Sequence, residues 1–195
     1  MHPSGHVDAF PRSQLPPVDQ WPVFNLTGPY AYPPGLNAAV ELLDRVIRAG
    51  HGARVALVTP EAAGGWQETT YAELSAQVDA LAHVLVDMGL VSGNRVLLRG
   101  YNGRWMAAAW LATLKAGMVA VATMPMLRAG ELRVIIERSQ CNAALCDARL
   151  AAELTAAAAG TAVALIALGV VYFLQDGFRS LRPAMKDAEK TYLSK

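Results

Sequence analysis

The chain has 195 residues, 53% hydrophobic and 17% charged, with a formal net charge of +1. That length supports one domain with a real core, or one domain plus an appendage. The near-neutral charge leaves no field to gather nucleic acid or anionic lipid, and much of the apolar excess is alanine, a helix former rather than a membrane signature.

Residues 1–34 are rich in proline and aromatic rings and show no periodicity. The opening run MHPSGHVDAFPRSQLPPVDQW lacks the apolar core of a secretion signal and is expected to be a disordered leader. WPVFNLTGPYAYPPG is expected to lie as an extended strap with its rings docked on a folded body. Asn25 matches a glycosylation acceptor, which stays idle without a secretory signal. From Leu36 the pattern turns helical. Leu36, Val40, Leu43 and Ile47 share one face, and Gly50 stops the run.

ARVALVTP is a short apolar strand, and EAAGGWQET has the glycine pair of a hairpin turn. Thr70 and Glu73 are spaced as a capping box, which starts a helix. Tyr71, Leu74, Val78, Leu81, Leu85 and Met88 recur at helical spacing until Gly89. NRVLLRG, MVAVATMP and NAALCD then read as strands, and GRWMAAAWLATLKAG, AGELRVIIERSQ and ARLAAELTAAAA as helices. The alternation from Asn94 to about Ala159 predicts an α/β fold, a partial doubly wound parallel sheet with flanking helices.

Residue chemistry alone picks out no active site. His2, His6, His51 and His83 make no ligand pattern, and no metal site is expected. Cys141 and Cys146 have the wrong spacing for a metal or redox pair and read as reduced, partly buried residues. Glu131 and Glu137 read as the solvated side of one helix, and Trp105 and Trp110 as core packing against the sheet. No nucleophile elbow, phosphate loop or dinucleotide fingerprint occurs.

Two stretches carry a resemblance. TTYAEL, residues 69–74, resembles the first core motif of the adenylate-forming superfamily: acyl- and aryl-CoA synthetases, luciferases and peptide-synthetase adenylation domains. LKAGMVAVATMPM, residues 114–126, resembles the second. FNLTGPYAYPPGLNAAVELLDR and MPMLRAGELRVIIERSQCNAALCDARL look most like the benzoate and 2-aminobenzoate CoA ligase branch. The resemblance covers about residues 20–155. It implies an enzyme that activates an aromatic carboxylate with ATP and Mg²⁺, forms an acyl-adenylate, and passes the acyl group to CoA. The family's phosphate loop, ribose-binding acid and catalytic lysine have no match here. Lys115 and Arg128 cannot by themselves supply the charge that phosphate chemistry needs. The chain alone is therefore expected to be inactive, and no catalytic residue is named.

From Leu154 to Leu174 no residue is charged. About 20 apolar residues span a bilayer, and Tyr172 and Phe173 followed by basic residues suit an interface with a cytoplasmic flank. A buried strand followed by a helix fits the same residues, since strands covered on both faces read as continuous apolar runs. A poorly folded junction is the third reading. The expected organisation is a leader (1–34), a truncated synthetase subdomain (35–153), the apolar segment (154–174) and a polar basic tail (175–195). The expected location is cytoplasmic, or membrane-anchored through 154–174 in a non-catalytic module. Any surviving substrate pocket belongs where the second and third strands end, at Tyr101, Asn102, Met124, Pro125 and Met126, because ligands of open parallel sheets sit at strand carboxyl ends.

Overall fold

The computed structural model describes residues 5–23, 25–32, 35–61 and 64–168. Two compact units divide the chain. The first takes the residues up to Val96 together with Asn102–Ala120, and the second takes Leu97–Tyr101 and the residues from Val121 on.

The first unit begins with a segment that is docked, contrary to the expected disordered leader. The backbone N–H groups of Val7 and Asp8 donate to the Ser92 carbonyl at 3.0 and 2.9 Å. Ser92 Oγ donates to the Gly5 carbonyl at 2.9 Å. The Asp8 carboxylate accepts from Asn94 Nδ2 at 2.8 Å and pairs with the Arg95 guanidinium. Arg95 also stacks over the Phe10 ring, 4.7 Å from its centroid. Phe10 opens a single helical turn, α1 (Phe10–Ser13), with Pro11 in its first turn, where a missing N–H costs nothing. Gly93, with φ +89°, lets the two backbones meet: a Cβ there would lie 2.2 Å from the Asp8 carbonyl oxygen. The strap after α1 differs from expectation in the other direction. Tyr30 and Tyr32 are 74% and 69% exposed, so these rings are not docked.

Residues 38–51 are helical and include two π-helical stretches, Val40–Asp44 and Ile47–His51. Leu43 and Ala39 are buried there, whereas Leu36 lies outside the helix and exposed. The run breaks at Gly50, in the left-handed region as expected. Asn37 caps two helices at once. Its Oδ1 accepts from the Ala39 and Val40 N–H groups, and its Nδ2 donates to the carbonyls of Leu114 and Lys115 at 3.1 and 3.0 Å.

β1 (Val55–Pro60) and β2 (Trp66–Thr70) form an antiparallel hairpin. Gly64 and Gly65 supply the positive φ angles of its turn, but the stretch from Trp66 that seemed part of the turn is a strand. α2 (Tyr71–Asp87) starts at the expected capping box: Thr70 Oγ1 accepts from the Glu73 N–H, and Glu73 Oε2 accepts from the Thr70 N–H at 2.8 Å. Leu74, Val78, Leu81 and Leu85 are buried along it. α3 (Arg104–Lys115) packs against α2 through a face of Ala108, Ala109 and Ala112. Trp110 falls on the other side of α3 and is 41% exposed, so it is not the core residue its size suggested. Lys115 Nζ bonds Asp44 Oδ1 at 2.7 Å and Asp79 Oδ1 at 2.6 Å, tying helix 38–51 to α2 and α3.

β3 (Arg95–Arg99), β4 (Val119–Thr123), β5 (Ala143–Cys146) and β6 (Ala164–Ala167) form a sheet of order β4-β3-β5-β6. α4 (Ala129–Ser139) links β4 to β5, and α5 (Ala151–Ala158) links β5 to β6. β5 and β6 are parallel, with Ala143 opposite Ala164 and Leu145 opposite Ile166. In the second unit Leu97, Leu132, Ile136, Cys141, Ala144, Cys146, Leu154 and Ala157 form one apolar cluster between the strands and α4 and α5. Both cysteines are buried and carry no disulfide.

The apolar segment takes its strand reading as far as it is described. α5 ends at Ala158, Gly160 turns the chain with φ +76°, and β6 pairs with β5. A single membrane helix from Leu154 is excluded by that turn and strand. No helix among the described residues is long and apolar enough to cross a membrane. Residues 169–174 and the basic tail 175–195 lie outside the described residues.

Candidate functional site

The strand order reverses between β3 and β5. From β3 the chain crosses to β4 on one side, then returns to β5 on the other and continues to β6. In a doubly wound sheet such a reversal opens a crevice at the strand carboxyl ends. Here those ends are Arg99–Tyr101 and the turn Ala148–Leu150 after β5, all within the second unit.

Asp147 builds that turn. Its Oδ1 accepts from the Arg149 backbone N–H at 3.0 Å, and its two oxygens take Arg149 Nε and Nη2 at 2.9 and 2.6 Å. The bidentate Arg149 holds the Asp147 carboxyl below the usual carboxylate range, against its partial burial. The Arg149 guanidinium lies over the Tyr101 ring, 4.7 Å from its centroid. Tyr101 itself is 49% exposed.

Met124, Pro125 and Met126 follow β4 in the same unit. The Met124 and Met126 side chains are open to solvent, and their backbone is fastened from below. Arg99, 1% exposed, donates Nη1 to the Met124 carbonyl at 2.9 Å. Its Nη2 reaches the carbonyls of Pro125 and Leu127 at 2.9 and 2.8 Å, and its Nε leans toward that of Leu150 at 3.4 Å. Four of the five expected substrate-end residues, Tyr101, Met124, Pro125 and Met126, thus belong to one unit. Asn102 counts with the first unit, exposed in the turn ahead of α3.

Glu153 completes this end. Its Oε2 accepts from the Ala129 N–H at 2.8 Å and its Oε1 from Arg128 Nη1 at 3.1 Å. The Ala129 N–H first, and Arg128 second, hold its carboxyl low. An arginine has no acceptor, so Glu153 and Glu131 cap the first turn of α4. Arg99, Arg128 and Arg149 thus stand against Asp147, Glu153 and Glu131, three charges of each sign.

Arg99, Asp147, Arg149 and Glu153 were not singled out from sequence. The available signal was Arg99 itself: RVLLR places a guanidinium in a strand apolar enough to be buried, and a buried cation demands partners.

Phosphate binding needs several uncommitted cations or N–H groups. Lys115 is spent on Asp44 and Asp79, Arg95 on Asp8, Arg99 on carbonyls, and Arg149 on Asp147. With Arg128 held by Glu153 as well, the described cations at the strand carboxyl ends are committed, and that end does not fit a triphosphate–Mg²⁺ site.

A family model described as AMP-binding enzyme matches residues 44–191. The chain belongs to that family. The AMP-binding match includes the apolar segment and most of the basic tail. The 3-hydroxybenzoate–CoA ligase of Aromatoleum sp. (strain CIB) is 32% identical over 116 residues, 60% of this chain and 21% of that protein. The acetyl-coenzyme A synthetase of Mycobacterium tuberculosis (strain ATCC 25618 / H37Rv) is 44% identical over 64 residues, 32% of this chain and 10% of that protein. This chain thus spans about a fifth or less of these relatives. Among solved structures, a benzoate CoA ligase from Burkholderia xenovorans LB400 superposes with a TM-score of 0.58 at 23% identity, covering 68% of this chain and 26% of that one. Apo MatB from Rhodopseudomonas palustris gives 0.57 at 27% identity, covering 66% and 24%.

Proposed function

We propose that this AMP-binding chain is the N-terminal part of an ATP-dependent, AMP-forming aryl- or acyl-CoA ligase. Residues 35–153 would form its N-terminal subdomain, working in the cytoplasm. The complete enzyme would join an aromatic carboxylate to ATP as an acyl-adenylate with Mg²⁺ and release pyrophosphate. The thiol of CoA would then displace AMP. The observation that carries this reading is the 32% identity to a hydroxybenzoate–CoA ligase over 60% of the chain.

The described residues contribute a platform rather than the adenylating machinery. Tyr101, Met124, Pro125 and Met126 offer apolar and aromatic surface at the strand carboxyl ends, suited to an aromatic acyl group. Asn102 is the fifth candidate for substrate contact.

The test is a transplant. Residues 35–153 replace the matching segment of the hydroxybenzoate–CoA ligase, and aryl-CoA formation is followed by mass spectrometry with benzoate, 3-hydroxybenzoate and acetate. The expected hybrid makes aryl-CoA and prefers the aromatic acids. A folded hybrid that makes only acetyl-CoA overturns the aromatic assignment, and one that makes none overturns the ligase reading. The purified 195-residue chain is expected to show no carboxylate-dependent exchange of pyrophosphate into ATP.

A further inference from the structure

Arg99 ends β3, the strand with β4 on one side and β5 on the other. Among the described residues it forms no ion pair with a carboxylate. Its partners are backbone carbonyls from two separate connections: Met124, Pro125 and Leu127 after β4, and Leu150 after β5. Its own carbonyl accepts from the Asp147 N–H at 2.8 Å, beside that second turn. Burying a cation this deeply is costly, and an apolar side chain would fill the space at lower cost. What an apolar side chain cannot do is hold two loops at a fixed separation. A guanidinium can, because its donors sit in a rigid planar fork, whereas a lysine ammonium is a single point on a flexible stem.

We propose that Arg99 is the positioning residue of the strand-end site, clamping the 124–127 loop to the turn after β5 so that Met124, Met126, Tyr101 and Arg149 are presented together. The clamp rests on the hydrogen bonds alone. Its value for substrate rests on the ligase reading above.

The amides around the clamp are the reporters of its state. Leu127 N–H bonds the Met124 carbonyl, Ala129 N–H bonds Glu153, and Arg149 and Leu150 N–H groups bond Asp147. Of these, only the Ala129–Glu153 bond crosses between the two connections; the others close within a single turn, which Arg99 fastens through its carbonyls.

Amide hydrogen exchange on the 195-residue chain tests this with R99A and R99K. In both variants the 124–129 and 147–151 amides should exchange at least tenfold faster, while amides of α2 and α3 keep their wild-type rates. Millimolar methylguanidinium should restore slow exchange to R99A, and methylammonium should not. R99K guards against a collapse of R99A, since it keeps the charge and loses only the fork. Unchanged exchange of both segments in R99K, or equal rescue by the two cations, overturns the proposal. The substrate clause is read separately, from slowed 124–129 exchange with 3-hydroxybenzoate. Wild-type chain insensitive to that acid, with both segments loosened in R99K, refutes the substrate reading and leaves the clamp supported.

Discussion

Replacing Gly93 with alanine would act on the N-terminal segment through two separable terms. The first is local: at φ +89° an alanine pays about 1–2 kcal/mol that glycine does not. The second is a collision. The new Cβ would sit 2.2 Å from the Asp8 carbonyl oxygen and 2.9 Å from the His6 Cβ. Gly93 N–H is held by the Gly117 carbonyl at 2.9 Å, so the Asp8 side must give way. A shift of an ångström or more breaks the Val7 and Asp8 bonds to Ser92 and draws the carboxylate from Asn94 and Arg95. Neutral bonds contribute about 1 kcal/mol each and bonds to charged groups about 1.5–3. Freedom regained by the undocked residues offsets much of this, leaving a docking share of about 1–2 kcal/mol. The whole substitution should therefore cost about 2–4 kcal/mol. Urea unfolding followed by circular dichroism would measure it in the full chain and in a chain starting at Gln14. In the shortened chain the collision is absent and only the local 1–2 kcal/mol should remain. Equal costs in the two backgrounds would refute the docking argument.

The Asp8 carboxyl is held below its ordinary value of 3.8, first by the Phe10 N–H and then, against burial, by Arg95 and Asn94. A depressed pKa stabilises above the unfolded value and ceases to do so as pH falls through the folded one, so D8N should lower the urea midpoint near pH 7 and match the wild type near pH 2. Lys115 is opposed by burial, yet the hydrogen bonds it donates to Asp44 and Asp79 raise its pKa, so its stabilising effect fades only as pH climbs above the ordinary lysine value of 10.5. K115M should lower stability by about 1–2 kcal/mol in thermal unfolding, and less in a D79N background, where one fewer carboxylate is stranded. Burial pushes the Cys146 thiol up to about 11, with Arg99 pulling the other way, so iodoacetamide near pH 8 should leave it unmodified in the native chain and label it in urea. Intact mass before and after unfolding decides that point.

The regular part of the fold was legible because its signals are local. Thr70 and Glu73 stand three positions apart, and their capping box could be named from sequence alone. The order from β3 to α5 follows from apolar runs and helical periodicity that a short window contains. The signals that failed are relational. Asp8 and Arg95 are individually ordinary residues 87 positions apart, and nothing near either announces the other. WQETT is polar, so β2 carried no strand pattern; it exists because β1 pairs with it. The apolar stretch after Leu154 could not be divided by composition, because an alanine-rich helix end and a covered strand look alike until Gly160 is seen to turn the chain. At the site, the ends of the strands were foreseeable from topology. The arginine that fastens their loops announced itself only as a guanidinium in an apolar strand; its partners could not be named, since they are carbonyls, which every sequence supplies everywhere.

The long span between partners also sets an order of assembly. Val7 waits for Ser92, 85 positions on, and Asn37 completes its cap only when Leu114 and Lys115 exist. Closing loops of that length costs chain entropy before any contact repays it. Ala143 and Ala164, by contrast, meet across a single helical connection. At about 5–20 residues per second of synthesis, Asn37 and Val7 spend several seconds on the ribosome before these distant partners are made. During that interval helix 38–51 can pack only on α2, and its ties to α3 form once Leu114 and Lys115 have left the exit tunnel.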